Sequence, residues 1–99
     1  MRTVIITGSS RGIGLACAHR FASEGGWNII LNSRSEKDLE KAASEISSYE
    51  QTSVLPVCGD VSDKDFIKTL FQSCRSNFGS LDVLINNAGI DRFNLLQDT

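Results

Sequence analysis

The sequence predicts an α/β fold in which a parallel sheet carries helices on both faces. Three observations predict it: short β-branched runs alternate with longer segments of helical periodicity, glycines separate many of them, and the connections are short. Strands that alternate with helices pair in parallel, because each crossover returns the chain to the same end of the sheet. The 99 residues suffice for one domain at most.

The first strand and the first helix flank a glycine-rich turn. Val4-Ile5-Ile6 is a β-branched run that ends at Thr7-Gly8, as expected of a buried strand. The next segment has apolar residues at the i, i+3, i+4 and i+8 positions of one helical face, namely Ile13, Ala16, Cys17 and Phe21. Gly25-Gly26 then ends this helix.

A second strand and a second helix follow. Residues 27–31 form an apolar strand, and Ser35 with Asp38 resembles a capping box in which Asp replaces the usual Glu. The apolar face of the helix comprises Leu39, Ala42, Ala43 and Ile46.

The third strand predicts the order of the sheet. It spans residues 54–58 and contains Pro56, which cannot donate a hydrogen bond to a neighbouring strand and therefore favours a sheet edge.

A third helix and a fourth strand complete the pattern. Ser62 and Asp65 repeat the capping pattern, Gly79 ends the third helix, and residues 81–85 form a fourth strand. The apolar face of the third helix comprises Ile67, Leu70, Phe71, Cys74 and Phe78. The pattern βαβαβαβ is typical of a Rossmann-type doubly wound sheet, here partial, with strand order 3-2-1-4 and the third strand outermost.

Composition excludes several classes of function. The net charge is -2 and basic residues do not cluster, so we expect neither a nucleic-acid surface nor a polybasic membrane anchor. No apolar run approaches the roughly 20 residues of a membrane span. The first apolar stretch is too short for a signal peptide and no small-residue cleavage site follows it, so we expect no signal peptide. His19 is the only histidine and no Cys-x-x-Cys pair occurs, so we expect no metal site. Cys17, Cys58 and Cys74 are predicted to be free buried thiols of a cytoplasmic protein.

The first candidate site is the turn Thr7-Gly8-Ser9-Ser10-Arg11-Gly12-Ile13-Gly14. It lies between a strand and a helix, where glycines let the backbone approach an anion and the helix N-terminus supplies free N–H groups for a pyrophosphate. Its Gly-x-x-x-Gly-x-Gly spacing departs from the common Gly-x-Gly-x-x-Gly, so a purely structural turn is the alternative.

Two further motifs follow the third and fourth strands. Asp60-Val61 ends the third strand, and Asn86-Asn87-Ala88-Gly89 follows the fourth. Ligands of open α/β sheets bind at the carboxyl ends of the strands, so these motifs are expected beside the glycine turn. Asn and Gly are also common turn residues, and a plain polar turn is the alternative for the second motif.

Together, the three motifs resemble the short-chain dehydrogenase/reductase family, and its 3-oxoacyl-[acyl-carrier-protein] reductase-like branch, over residues 3 to about 90. The resemblance implies that Gly8, Gly12 and Gly14 shape a pyrophosphate loop and that the Ile13 amide contacts phosphate.

The resemblance also implies roles for the residues after the third and fourth strands. Asp60 would bind the adenine amino group, with the Val61 amide beside it. Asn86 would lie over the adenosine ribose, and Asn87 would tie the fourth strand to Thr7. The residues expected near the ribose and the nicotinamide are Ala88, Gly89 and Ile90.

The end of the second strand favours NADP(H) over NAD(H). An NAD site usually has an acid there, but the sequence Asn32-Ser33-Arg34-Ser35 has none before Glu36. Arg34 is placed to bind a 2′-phosphate, with Ser33 adding a hydroxyl and Arg11 a second guanidinium from the glycine turn. The alternative is that Arg34 is a solvated residue at the start of a helix.

No catalytic residue is predicted within residues 1–99. The resemblance implies a Ser and a Tyr-x-x-x-Lys for hydride transfer, but the only tyrosine is Tyr49, and Ser53 follows it four residues later. His19 is interpreted as a surface residue. We therefore expect the N-terminal, cofactor-binding part of an oxidoreductase, without the catalytic half and inactive alone.

Two other functions remain open. The chain could be a non-catalytic NADP-binding module, or a partner-docking fragment. The second alternative arises because the fourth strand, with Val83-Leu84-Ile85, would leave an apolar open edge. Such an edge predicts self-association or binding of a complementary half.

Overall fold

The computed structural model describes residues 1–87 and confirms the doubly wound sheet. Its elements are β1 (Arg2–Ile6), α1 (Gly12–Glu24), β2 (Trp27–Ser33), α2 (Glu36–Ile46), β3 (Thr52–Cys58), α3 (Lys64–Phe78) and β4 (Val83–Ile85). The four strands are parallel and lie in the order β3-β2-β1-β4. β4 is shorter than the predicted 81–85. Just before it, the Asp82 backbone N–H donates to Thr3 O at 2.9 Å, and the Thr3 N–H donates to the Asp82 carboxylate at 2.8 Å.

The two faces of the sheet pack against different helices. Val4, Ile6, Ile29 and Leu31 share one buried cluster with residues of α1 and α2. Ile5 and Ile30 belong to the other cluster, with Leu70 and Cys74 of α3. Since β1 and β2 are buried on both faces, both strands are nearly continuous apolar runs, as expected of central parallel strands.

Pro56 lies in β3 at the edge of the sheet, as predicted. It is paired in register with Leu31 of β2, and its own side chain is exposed. Ser53 and Cys58 are exposed as well, whereas Val54 and Val57 are half-buried. β3 therefore has the mixed exposure of an edge strand, and the missing N–H of Pro56 blunts the edge against further pairing.

The helix caps agree with the prediction for α2 and correct it for α3. The Ser35 side chain accepts a hydrogen bond from the Asp38 amide at 3.3 Å, as expected. α3 is capped by Asp63, which accepts from the Asp65 amide at 2.9 Å. The predicted cap, Ser62, is wrong, because its amide and its hydroxyl both donate to the Asp60 carboxylate, at 2.9 and 2.8 Å.

His19 lies at the surface, as interpreted from the sequence, and its ring also joins two helices. Its side chain is 35% exposed. Nδ1 lies 2.8 Å from the Tyr49 hydroxyl and Nε2 lies 3.1 Å from Glu45 Oε1. The contact links the middle of α1 to the C-terminal end of α2 and to the turn before β3.

The cysteines are free, as predicted, but only one of them is buried. Cys74 is buried, Cys17 is half-buried and Cys58 is exposed. Burial raises the pKa of the Cys74 thiol, and the negative charge of Asp82 acts in the same direction. Over residues 1–87, no helix is long and apolar enough to cross a membrane, and no group of His, Cys, Asp and Glu side chains could hold a metal ion.

The cap of α3 gives a first testable prediction. Asp63→Ala should lower the free energy of unfolding by about 1 kcal/mol, because the Asp65 amide loses its acceptor. Asp63→Asn is the matched control and should stay within a few tenths of a kcal/mol of the wild type, since the Asn oxygen accepts the same bond. Urea unfolding measures both variants, and an equal loss in the two would contradict the capping role.

Candidate cofactor-binding site

The turns that follow the four strands meet at the carboxyl edge of the sheet. Backbone hydrogen bonds continue the pairing past the strand ends: the Thr7 amide donates to Ile85 O at 3.0 Å and the Ser9 amide donates to Asn32 O at 2.8 Å. On the other side of β2, the Gly59 amide donates to Ser33 O at 3.0 Å. These bonds bring the glycine turn, Asp60-Val61 and the described part of the fourth-strand motif, Asn86-Asn87, to one edge of the sheet, as predicted.

Glycine is required in this turn for two reasons, backbone conformation at Gly8 and Gly12 and close packing at Gly14. Gly8 and Gly12 both have φ of 62°, a left-handed conformation that favours glycine. At Gly14 the reason is space, because a Cβ would overlap the carbonyl oxygen of Gly8 and lie 2.8 Å from the side-chain nitrogen of Asn87. The first turn of α1 therefore packs directly on the backbone that follows β1.

The N-terminus of α1 differs from those of α2 and α3. Its N-cap residue, Arg11, is extended and makes no side-chain capping hydrogen bond, and the first turn contains no acidic residue. The first backbone bond along the helix is from the Leu15 amide to Arg11 O, at 3.3 Å. Such a terminus presents N–H groups and the positive end of the helix dipole to an anion. Ile13 lies there with 68% of its surface exposed.

The end of β4 is fixed to the glycine turn by two asparagines. The Thr7 hydroxyl donates to Asn86 Oδ1 at 3.1 Å, and Asn87 Nδ2 donates to Gly8 O at 3.0 Å. The expected contact of Asn87 with Thr7 is therefore corrected: Asn86 contacts Thr7, and Asn87 reaches Gly8 instead. The neighbouring predicted site residues Ala88 and Gly89 lie outside the described residues, as does Ile90.

The end of β2 is joined to the glycine turn through hydroxyl groups. Ser33 is 8% exposed, and its hydroxyl donates to Ser10 Oγ at 3.0 Å and accepts from the Ser35 amide at 3.1 Å. Arg34 and Arg11 are both exposed, and within the described part of the chain neither guanidinium takes part in an ion pair. Each arginine directly follows one of the two bonded serines along the chain: Arg11 follows Ser10, and Arg34 follows Ser33.

Asp60 and Val61 follow β3 at the same edge. Asp60 is exposed, and its carboxylate accepts the two hydrogen bonds from Ser62. Val61 is half-buried against the α3 side of the sheet. Gly59, which precedes them, is close to the ring of Phe66, and a Cβ would overlap that ring.

Two polar residues of this region, Ser9 and Asn32, have a structural role that was not predicted from the sequence. Ser9 is completely buried and donates its hydroxyl to Ile6 O at 2.8 Å. Asn32 is 2% exposed and uses its side chain to contact the turns after β1 and β3. The available signal was a polar residue at the end of an apolar strand, because a buried polar group needs hydrogen-bond partners.

A comparison with known protein families identifies this architecture. The family model described as short chain dehydrogenase matches residues 2–99. The chain belongs to the short-chain dehydrogenase family. Within it, the chain is 39% identical over 95 residues to the 3-oxoacyl-[acyl-carrier-protein] reductase FabG of Staphylococcus aureus, covering 96% of this chain and 38% of that relative. It is 38% identical over 89 residues to the short-chain dehydrogenase anuI of Penicillium roqueforti, covering 90% of this chain and 35% of that relative.

A solved reductase structure shows the same fold. The L-sorbose reductase of Gluconobacter frateurii, complexed with NADPH and L-sorbose, superposes with a TM-score of 0.84 at 42% identity. The match covers 89% of this chain and 33% of that one. The chain therefore spans little more than a third of the length of the curated relatives it matches, and it corresponds to their N-terminal part.

The close contact at Gly14 gives a second prediction. Gly14→Ala should lower the free energy of unfolding by about 1–3 kcal/mol, because the added methyl group forces α1 away from the Gly8 carbonyl. Ala16→Ser, at an exposed position of the same helix, is the control and should cost about 0.5 kcal/mol or less. Thermal unfolding compares the two, and similar melting temperatures would show that α1 is not held against this carbonyl.

Proposed function

We propose that this chain is the NADP(H)-binding part of an oxidoreductase that transfers hydride between NADP(H) and a carbonyl/alcohol pair. The observation that carries the proposal is the hydrogen bond between Ser10 and Ser33. It brings the glycine turn, with Arg11, against the end of β2, with Arg34. On this proposal, the pyrophosphate site would adjoin the two guanidinium groups, which suit a 2′-phosphate.

The charge at the end of β2 supports NADP(H) over NAD(H). The first acid after the strand is Glu36, which opens α2, so no carboxylate stands where an NAD site would bind ribose hydroxyls. A charge pair at about 4 Å is worth up to about 4 kcal/mol at an effective dielectric constant of 20, before desolvation. Retaining a third of this would favour NADP(H) about tenfold. The sorbose reductase relative is a complex with NADPH, which agrees with this preference.

The remaining contacts of the cofactor are proposed from the family resemblance. The amides at Gly12, Ile13 and Gly14 would bind the pyrophosphate, as the uncapped start of α1 allows. Asp60 and the Val61 amide would bind the adenine. The ribose and the nicotinamide side would lie against Asn86, Ala88 and Gly89.

The hydride step is proposed to use residues outside this chain. Tyr49, the only tyrosine of the sequence, precedes β3 and therefore lies at the amino end of the sheet, opposite the glycine turn. Its hydroxyl is bonded to His19. We propose that residues 1–99 bind the cofactor without turnover, in the cytoplasm, where free thiols persist.

The cofactor preference gives a third prediction. Arg34→Asp should lower the ratio of NADPH to NADH affinity by about tenfold or more, because the variant replaces an attraction to the 2′-phosphate by a repulsion. Isothermal titration of the 99-residue chain with both cofactors measures the ratio. Arg20→Asp, an equal change of charge at an exposed position of α1, should leave it within about twofold. An unchanged ratio in Arg34→Asp would refute the NADP(H) preference.

A second candidate function is docking of a partner at β4. Within residues 1–87, β4 is the outer strand on its side of the sheet, and Val83, Leu84 and Ile85 are only half-buried. Ile85 O faces β1, where it accepts from the Thr7 backbone N–H. Because successive residues of a strand direct their backbone groups to opposite sides, the N–H of the preceding residue, Leu84, points away from β1. A second copy of the chain or a complementary half could pair there. If the chain is a non-catalytic NADP-binding module, its partner could pair at the same strand.

The open edge gives a fourth prediction. Multi-angle light scattering should show a mass that rises with protein concentration, because an unpaired apolar strand recruits another strand. Leu84→Pro, which removes the outward N–H group, should reduce this association. Phe71→Ala removes an exposed apolar side chain of α3 and should leave the association unchanged. A stable monomer at all concentrations would exclude docking of a second copy at β4.

A further inference from the structure

We propose that Asn32 is a positioning residue of the cofactor site, an inference that rests on the proposed function of this edge. Its Nδ2 donates to Val57 O at 3.1 Å and to Gly59 O at 3.2 Å. Its Oδ1 accepts from the Gly8 amide at 3.5 Å. One buried side chain thus joins the turn after β1 to the end of β3.

The order of the strands explains why this link must come from β2. β1 and β3 are not neighbours, since β2 lies between them, and their turns would bind the two ends of the adenosine diphosphate part of the cofactor. A side chain at the carboxyl end of β2 reaches both turns. Asn32 stands there, paired in register with Val57.

The chemistry of the contacts requires an amide. Two carbonyl oxygens and one N–H group face the side chain, and a primary amide has two donor hydrogens and an acceptor oxygen to match them. A carboxylate of the same size would place an oxygen against the carbonyls of Val57 and Gly59. An aliphatic residue would leave both carbonyls without this buried donor.

The backbone of Asn32 holds the same turn a second time. The Asn32 backbone N–H donates to Ser9 Oγ at 2.9 Å, and the Ser9 backbone N–H donates to Asn32 O at 2.8 Å. The turn after β1 is therefore clamped to β2 through Ser9, and the Asn32 side chain extends the clamp to β3. Asn32 sets the distance between the two turns without itself touching the cofactor.

The same strand offers a matched control. Asn28 lies near the opposite end of β2, and its Nδ2 donates to Thr3 Oγ1 at 3.2 Å. Asn28→Ala removes a side-chain amide and a hydrogen bond from the same strand, but at the amino side of the sheet. It reports the effect of a general loss of stability on cofactor binding.

The test measures binding of NADP⁺ and of adenosine 2′,5′-bisphosphate by titration calorimetry. Asn32→Asp and Asn32→Ala should weaken both ligands by the same factor, about tenfold, because the adenosine side of the site is displaced. Asn28→Ala should stay within about twofold of the wild type. Equal affinities in wild type and Asn32 variants, or an equal loss in Asn28→Ala, would overturn the inference.

Hydrogen exchange separates this inference from the proposed function. Without cofactor, the backbone amides of Gly8 and Gly59 should exchange faster in Asn32→Ala than in the wild type, because Gly8 loses its acceptor and Gly59 O loses its donor. They should exchange at wild-type rates in Asn28→Ala. If the wild-type chain binds neither ligand, the proposed function fails, and the exchange rates still decide whether Asn32 fixes the two turns. Unchanged exchange at both glycines would overturn the positioning role.

Discussion

The contact between Gly14 and the carbonyl of Gly8 is the constraint on which the site depends. Because Gly14 has no side chain, the first turn of α1 rests on the backbone that leaves β1. The same carbonyl oxygen accepts a hydrogen bond from the side-chain Nδ2 of Asn87 at 3.0 Å, so this oxygen also fixes the end of β4. Helix, turn and outer strand are thus held at one point, and the start of α1 faces the edge where the strands end.

Buried polar residues are concentrated at that edge of the sheet. Among the described residues, the buried polar set comprises Thr3, Thr7, Ser9, Asn32 and Ser33, and all but Thr3 lie at the carboxyl ends of β1 and β2. Burying a polar group costs free energy unless a partner satisfies it. The hydrogen bonds of these residues offset that cost and give the turns a single arrangement, as a binding site needs before its ligand arrives.

The fold was predictable because its signals are local and agree with one another. Alternating periodicities gave the element types, and Pro56 independently placed β3 at the edge. Two of the errors, at the cap of α3 and at the end of β4, concern the choice of partner by adjacent polar side chains. Ser62 and Asp63 are both good caps, and Asn86 and Asn87 can both bind a hydroxyl or a carbonyl. Spacing along the chain does not decide between such neighbours, because the choice depends on distances near 3 Å that the folded backbone sets.

In the proposed function, cofactor binding and the chemical step belong to different residues. The proposed cofactor contacts in residues 1–87 belong to the turns after β1 to β3 and to the end of β4, whereas Tyr49 lies at the other end of the sheet. Interactions with the adenosine and pyrophosphate are the same in the ground state and in the transition state of a hydride transfer, so by themselves they do not accelerate it. Their effect on a reaction is to hold the nicotinamide in place for groups that protonate the carbonyl. In the proposed function, the rigidity provided by Gly14 and Asn32 is therefore this chain's contribution to catalysis.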